Sequence, residues 1–151
     1  MTTEFAGDIS TWRYDEPYGA YSLTGADPAF FTDADNGYVA LVDDARQLIG
    51  YRCFGADGRV PGFVYDDSAL DTGGGLRPTL TGHGLGAAAI ATGLAYGREQ
   101  FAPAAFRVTV ASFNVRAQRV VTSLGFTQLA RFDATTDGRP YDVLVRSESY
   151  S

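Results

Sequence analysis

The sequence predicts a domain of mixed α and β structure, class α+β, with a partly antiparallel sheet and helices on its faces. Two hairpin signatures carry the prediction: one at Tyr38 to Gly55, the other at the C-terminus. Between them runs a strand–helix–strand–helix alternation, which adds helical layers to the sheet.

The elements follow in order. "YVALVDD" (Tyr38 to Asp44) and "QLIGYRCFG" (Gln47 to Gly55) are β-rich runs joined by a short polar turn, as in an antiparallel hairpin. "SALDTGGGLRP" gives a third extended segment, where Gly73 to Gly75 point to a bulge or to the close approach of another molecule. Ala87, Ile90, Leu94, Gly97 and Phe101 then recur at helical spacing, and the helix ends before Pro103. Phe106 to Phe113 alternates as a strand. Asn114 reads as an N-cap, Ala117, Val120, Val121 and Leu124 as a helical face, and Gly125 as its stop. Finally "FTQLARF" and "YDVLVRS" flank "DATTDGRP", a second hairpin.

At 151 residues and 45% hydrophobic content, the chain fits one domain spanning residues 1–151. A formal charge of -6 argues against nucleic acid or an anionic membrane as partner, since both need a basic surface. The single cysteine, Cys53, forms no intramolecular disulfide, and no thiol or imidazole cluster offers a metal site. No stretch reaches the roughly 20 apolar residues of a membrane span, and "MTTEFAGDIS" does not read as a signal peptide. A cytoplasmic location is the expectation.

The most informative stretch is "RPTLTGHGLGAAAIATGLAYG", in which Gly82, Gly84 and Gly86 precede a run of alanines. A helix N-terminus presents unsatisfied N–H groups and the positive end of the macrodipole, a seat for phosphate. Glycine lets the backbone approach such a ligand and tolerates positive φ. The plainer alternative is a tight strand-to-helix turn. The loop lacks the Lys-Ser/Thr pair of a P-loop, and hairpins rather than parallel repeats precede it, which disfavours a dinucleotide fold.

"LRPTLTGHGLG", the alanine-rich helix, a strand and then "NVRAQRVVTSLGF" together resemble the acyl-coenzyme-A-binding core of the GCN5-related N-acetyltransferases (GNAT). The family pattern Gln/Arg-x-x-Gly-x-Gly/Ala falls on Thr81, Gly84 and Gly86, with Thr81 departing from the usual first residue. Asn-x-x-Ala and the closing Gly-Phe are met by Asn114, Ala117, Gly125 and Phe126. The likeness is concentrated in residues 70–132, and the opening "ISTWRYDEPYGAY" is similar to a bacterial subgroup whose substrates are mostly unassigned. It implies a mixed, mostly antiparallel central sheet with splayed central strands and helices on both faces. It further implies acetyl-CoA as acyl donor, held by His83, Gly84, Leu85, Gly86 and Ala87 at the pyrophosphate, with Thr81 and Gly82 leading into the loop. Backbone groups of Leu76, Arg77 and Pro78 then take the pantetheine, and the Leu76 N–H lies near the thioester carbonyl. Asn114 either hydrogen-bonds the pantetheine or caps its helix.

Transfer of an acyl group to an amine requires loss of a proton from the ammonium, polarisation of the carbonyl and protonation of the leaving thiolate. The family's usual acid is a tyrosine four residues after the Asn-x-x-Ala alanine; here that residue is Val121. Asp71 could serve as base, directly or through a water held by Ser112, or could be a solvated strand-end carboxylate. Ser112 could equally be an ordinary strand residue. His83, inside the glycine loop, reads as a cofactor contact or an exposed side chain rather than a base. Trp12, Tyr14 and Tyr18, with Tyr21, lie in the N-terminal segment 1–36 and could line the acceptor pocket or form a flap on the sheet.

The expected activity is therefore acetyl transfer from acetyl-CoA to a primary amine of a small molecule or protein, without metal, by direct attack in a ternary complex. The alternative is a non-catalytic acyl-CoA sensor of the same fold, and a weaker one is a phosphate-binding domain unrelated to CoA. A homodimer is possible through exposed edge strands of the C-terminal hairpin.

Overall fold

Two short helices that the sequence reading leaves out open the chain. The computed structural model describes all 151 residues. Thr2 accepts a hydrogen bond from Phe5 N–H and caps α1 (Thr3–Ile9), while Asp27 accepts from Ala29 N–H ahead of α2 (Pro28–Thr32), whose first residue is proline. Ala6 and Ile9 of α1 meet Phe31 of α2 and Trp12 in one small core, against Tyr38, Ala40 and Tyr51 of the sheet. At seven and five residues these helices are too short to stand alone. Their packed faces hold them.

The sheet has six strands: β1 (Tyr38–Val42), β2 (Leu48–Phe54), β3 (Leu70–Leu76), β4 (Ala105–Ala111), β5 (Thr127–Asp133) and β6 (Pro140–Ser147). Their order is β1-β2-β3-β4-β6-β5, and every pairing is antiparallel except β3 with β4. The predicted hairpins both form, and the last strand inserts between β4 and β5. Two longer helices, α3 (Gly86–Phe101) and α4 (Val115–Ser123), cover the face opposite α1 and α2. There Phe54, Leu94, Phe106, Val108, Val121, Phe126 and Leu144 form the main core. Gly97 is required at the contact, since a Cβ would come within 2.9 Å of the Phe106 ring. Helices thus lie on both faces, as the resemblance implies.

The two central strands pair for only a moment. β3 and β4 register at Leu70↔Phe106 and Asp71↔Arg107 and then part. No bulge causes this: β2 and β3 stay in unbroken register from Phe54↔Thr72 to Gly50↔Leu76. Of the two reasons read for the glycine run, the bulge is absent, while all three glycines line the gap between the strands. A Cβ on Gly74 would run into the Tyr51 carbonyl oxygen and fall 2.8 Å from Arg52 Cδ, and one on Gly75 would sit 3.1 Å from the Tyr14 hydroxyl.

Candidate active site

Where β3 and β4 diverge, the sheet opens into a cleft of about 650 Å³. Its walls follow from ladder geometry. Arg77 N–H donates to Ile49 O at 2.8 Å, so alternation turns the backbone groups of Gly74 and Leu76 away from β2 and toward the gap. Beyond Asp71 no strand answers them. Leu76 O accepts a hydrogen bond from the Tyr14 hydroxyl, leaving Leu76 N–H facing the cleft as a donor.

At the outer end Thr81, Gly82, Gly84, Gly86 and Ala87 line the cleft. Gly82 and Gly84 have φ of +76° and +77°, where a side chain is strained, so the loop's glycines are a backbone requirement. Leu85 precedes α3 without any side-chain cap, which leaves the first amides of the helix to whatever binds there. Arg116 approaches the same loop: a Cβ on Gly82 would lie 3.3 Å from its Nη1. Its guanidinium also stacks 4.4 Å over the Tyr18 ring.

The mouth is aromatic. Tyr18 and Tyr21 both pack on Phe113, which joins the N-terminal segment to the β4–α4 connection. Asn114 caps α4 through Oδ1, which accepts from Ala117 N–H at 3.1 Å, and its Nδ2 donates to the Tyr21 hydroxyl at 3.4 Å. Burial pushes the Tyr21 phenol above its usual value, more than the Asn114 hydrogen bond lowers it. Burial likewise raises Tyr14 strongly, and Tyr51 to about 12.

Several expected site residues are placed elsewhere. Asp71 is 1% exposed and lies under the β2–β3 connection, where Arg107 holds both carboxylate oxygens and Arg59 Nε donates at 2.8 Å. A carboxylate so occupied is a structural tie and does not reach the cleft as a base. Ser112 is also outside the cleft lining; its N–H donates to Pro140 O. Arg77 turns outward to Asp8 and Leu48 O and lies 5.2 Å over Trp12. Trp12 itself is 3% exposed, with Nε1 donating to Asp8, so it belongs to the N-terminal core and not to an acceptor pocket.

Pro78 O accepts from both Thr81 N–H and Thr81 Oγ1 and closes a single 3-10 turn, and Pro78 lies outside the cleft lining. His83 and Leu85 are exposed and lie outside the lining. The structure does bring together Tyr14, Tyr18, Leu76, Thr81, Gly82, Gly84, Gly86, Ala87 and Asn114. Two charged lining residues, Arg52 and Arg116, were not among the sequence candidates, whereas Tyr21, read with the N-terminal aromatics, lines the cleft. Only Arg52 had a usable signal, as a charge in the middle of an apolar strand.

No protein-family model matches the sequence, and no curated protein does. Solved structures do. A spermidine N-acetyltransferase variant from Vibrio cholerae superposes with a TM-score of 0.69 at 15% identity, over 97% of this chain and 92% of that one. An acetyltransferase of the GNAT family from Bacillus anthracis gives 0.66 at 14% identity, over 97% and 86%. A third, the Campylobacter jejuni N-acetyltransferase PseH in complex with acetyl coenzyme A, gives 0.57 at 17% identity, over 74% and 67%. The fold of this chain is that of the GCN5-related N-acetyltransferases. No helix is long and apolar enough to cross a membrane.

Proposed function

We propose that the chain is a CoA-dependent N-acyltransferase that moves an acetyl-type group from its thioester to a primary amine of a small molecule or protein. One observation carries this reading: a glycine-walled gap between diverging strands leads directly to the uncapped N-terminus of α3. In such a gap the backbone of Gly74 and Leu76 pairs with the amides of a pantetheine arm as it would with a missing strand. The amides at Gly84 to Ala87 take the pyrophosphate, and Arg116 adds a cation beside it.

The chemistry falls to few groups. Transfer forms a carbon–nitrogen bond and breaks the thioester carbon–sulfur bond; the amine loses a proton and the sulfur gains one. Leu76 N–H points at the carbonyl where negative charge develops. Val121 stands in the family's tyrosine position, and its hydrocarbon side chain has no proton to give. Tyr21 can. Its hydroxyl accepts from Asn114, which leaves its own proton free, whereas the Tyr14 proton is committed to Leu76 O. The cleft lining contains no Asp or Glu, so the amine's proton leaves to solvent water and the acceptor attacks from its neutral fraction.

That lining also bears on the acceptor, with Tyr14 and Tyr18 of residues 1–36 on its side of the cleft. Spermidine, named in one structural neighbour, is a polycation, and a cleft with Arg52 and Arg116 and no carboxylate offers it no counter-charge. A less charged or anionic amine fits better. The same lack of a carboxylate, together with Val121, favours the second reading, an acyl-CoA sensor without turnover. Free-thiol release from acetyl-CoA over a panel of amines separates the two: amine-dependent release supports the enzyme, and tight binding with no release for any amine supports the sensor.

A further inference from the structure

Arg52 is the group that the proposed chemistry leaves unused. It is 6% exposed and sits near the end of β2, and no carboxylate pairs with it. Its Nη2 donates to Thr72 Oγ1 at 3.1 Å, while its Nε is buried with no partner. A buried guanidinium is normally met by an acid, because desolvation is costly unless a counter-charge offsets it. The other buried arginine, Arg107, follows that rule with Asp71 and Asp66. The chain has 18 acidic residues and puts none against Arg52.

The surroundings are shaped to keep it there. A Cβ on Gly93 of α3 would fall 2.7 Å from Arg52 Cγ, and one on Gly74 of β3 would fall 2.8 Å from Cδ. Two glycines on facing elements therefore make room for the stem between sheet and helix. The residue lines the cleft together with Thr72, Val108 and Ile90. Its place along the cleft follows from register. Arg52 pairs with Gly74 and Gly50 with Leu76, so Arg52 lies two residues, about 7 Å, nearer the apex than the Leu76 amide.

We propose that Arg52 receives a carboxylate at the inner end of the cleft and that this carboxylate terminates the acyl chain, making the preferred donor a carboxyacyl thioester of succinyl size. The inference rests on the acyl-CoA reading given above. A chain whose thioester carbonyl meets Leu76 N–H and which runs toward Asp71 reaches the guanidinium after about two methylene groups. Its carboxylate supplies the counter-charge and a partner for Nε. The transfer is unchanged: the carbon–nitrogen bond forms, the carbon–sulfur bond breaks, and the distal carboxylate takes no part in bond making. The other source of the same anion is a carboxylate on the amine acceptor.

The test is calorimetric titration of the full chain with acetyl-CoA, butyryl-CoA and succinyl-CoA; the last two differ in the terminal carboxylate. The wild type is expected to bind succinyl-CoA about tenfold or more tightly than butyryl-CoA. Arg52→Met and Arg52→Gln are each expected to reduce that ratio to within about twofold, and the ratio within one protein is insensitive to partial unfolding of a variant. Equal affinities in the wild type, or a preference that survives in both variants, overturn the proposal. So does Arg52-dependent binding of glycine but not methylamine to the acetyl-CoA complex, which would move the anion to the acceptor. A protein that binds none of the three thioesters contradicts the acyltransferase reading itself, whereas one that binds acetyl-CoA and ignores the carboxylate contradicts this proposal alone.

Discussion

Asp71 and Arg107 occupy the last register position at which β3 and β4 pair, and their side chains close the same joint with hydrogen bonds of 2.6 and 2.8 Å. The pair sits at the apex from which the cleft opens. Both side chains are buried, at 1% and 2% exposure.

Removing the Asp71 charge leaves the buried Arg107 with only the exposed Asp66 as counter-charge. Asp71→Asn is therefore expected to destabilise the fold by about 3–5 kcal/mol, read from the denaturant midpoint at constant slope. Arg59→Ala, whose side chain is 37% exposed, should cost no more than about 1 kcal/mol. If Asp71→Asn keeps full stability and loses turnover, Asp71 is a base after all.

Tyr21 carries the leaving-group proton in this account. Tyr21→Phe should lower kcat about 100-fold while changing the Kd for acetyl-CoA by less than about threefold. The phenyl ring retains the stacking on Phe113, so binding is a fair control. An unchanged kcat would place the proton elsewhere or let the thiolate leave as the anion.

The pH dependence of stability has two edges. Burial raises the phenols of Tyr14, Tyr38 and Tyr51, the last to about 12, so the unfolded chain ionises first in alkali. Their contribution is complete below about pH 10, the unfolded value, and is lost as pH rises through the folded values. The hydrogen bond from Arg77 is the main cause that lowers the Asp8 carboxyl. Its contribution is present above about pH 4 and is lost as pH falls through the lower folded value. Denaturation midpoints measured across pH should show a plateau between these edges. Asp8→Asn should shrink the acid edge, which Asp8 shares with Glu148, whose carboxyl is raised by burial but lowered further by the hydrogen bonds from Arg146 and Arg98, and should leave the alkaline edge intact.

The strands and long helices were legible because each carries a periodic signal on its own residues. Ala87 to Phe101 reads as a helix and forms one at Gly86–Phe101, and the cap at Asn114 is where its residue type puts it. Helices α1 and α2 escaped notice because their order comes from burying Ala6, Ile9 and Phe31 against one another, not from local pattern. The insertion of β6 between β4 and β5 is a choice among sheet edges that alternation leaves open.

At the site, the glycines of the loop before α3 were readable, since positive φ at Gly82 and Gly84 demands them. The role of Asp71 was not. Strand alternation gives the face a side chain takes but not what covers that face, and here Arg59, Arg107 and the β2–β3 connection do. Arg116 stayed hidden for the same reason, being aimed by a ring 98 positions earlier in the chain, Tyr18, and the charge of Arg52 within an apolar strand does not tell that glycines on two other elements make room for its stem.

The central claim is that the gap between β3 and β4, ending at α3, is an acyl-CoA site. Calorimetric titration with acetyl-CoA, on the wild type and on Gly84→Glu, tests it most directly, because a carboxylate at that position meets the phosphate seat with bulk and like charge. A Cβ on Gly84 meets nothing within 4 Å, so the variant's main defects are local strain and the blocked seat. The account predicts one acetyl-CoA bound per wild-type chain and affinity lowered at least about 100-fold in the variant, a loss of about 2.7 kcal/mol. No heat of binding in the wild type, or equal binding in the two proteins, would contradict it.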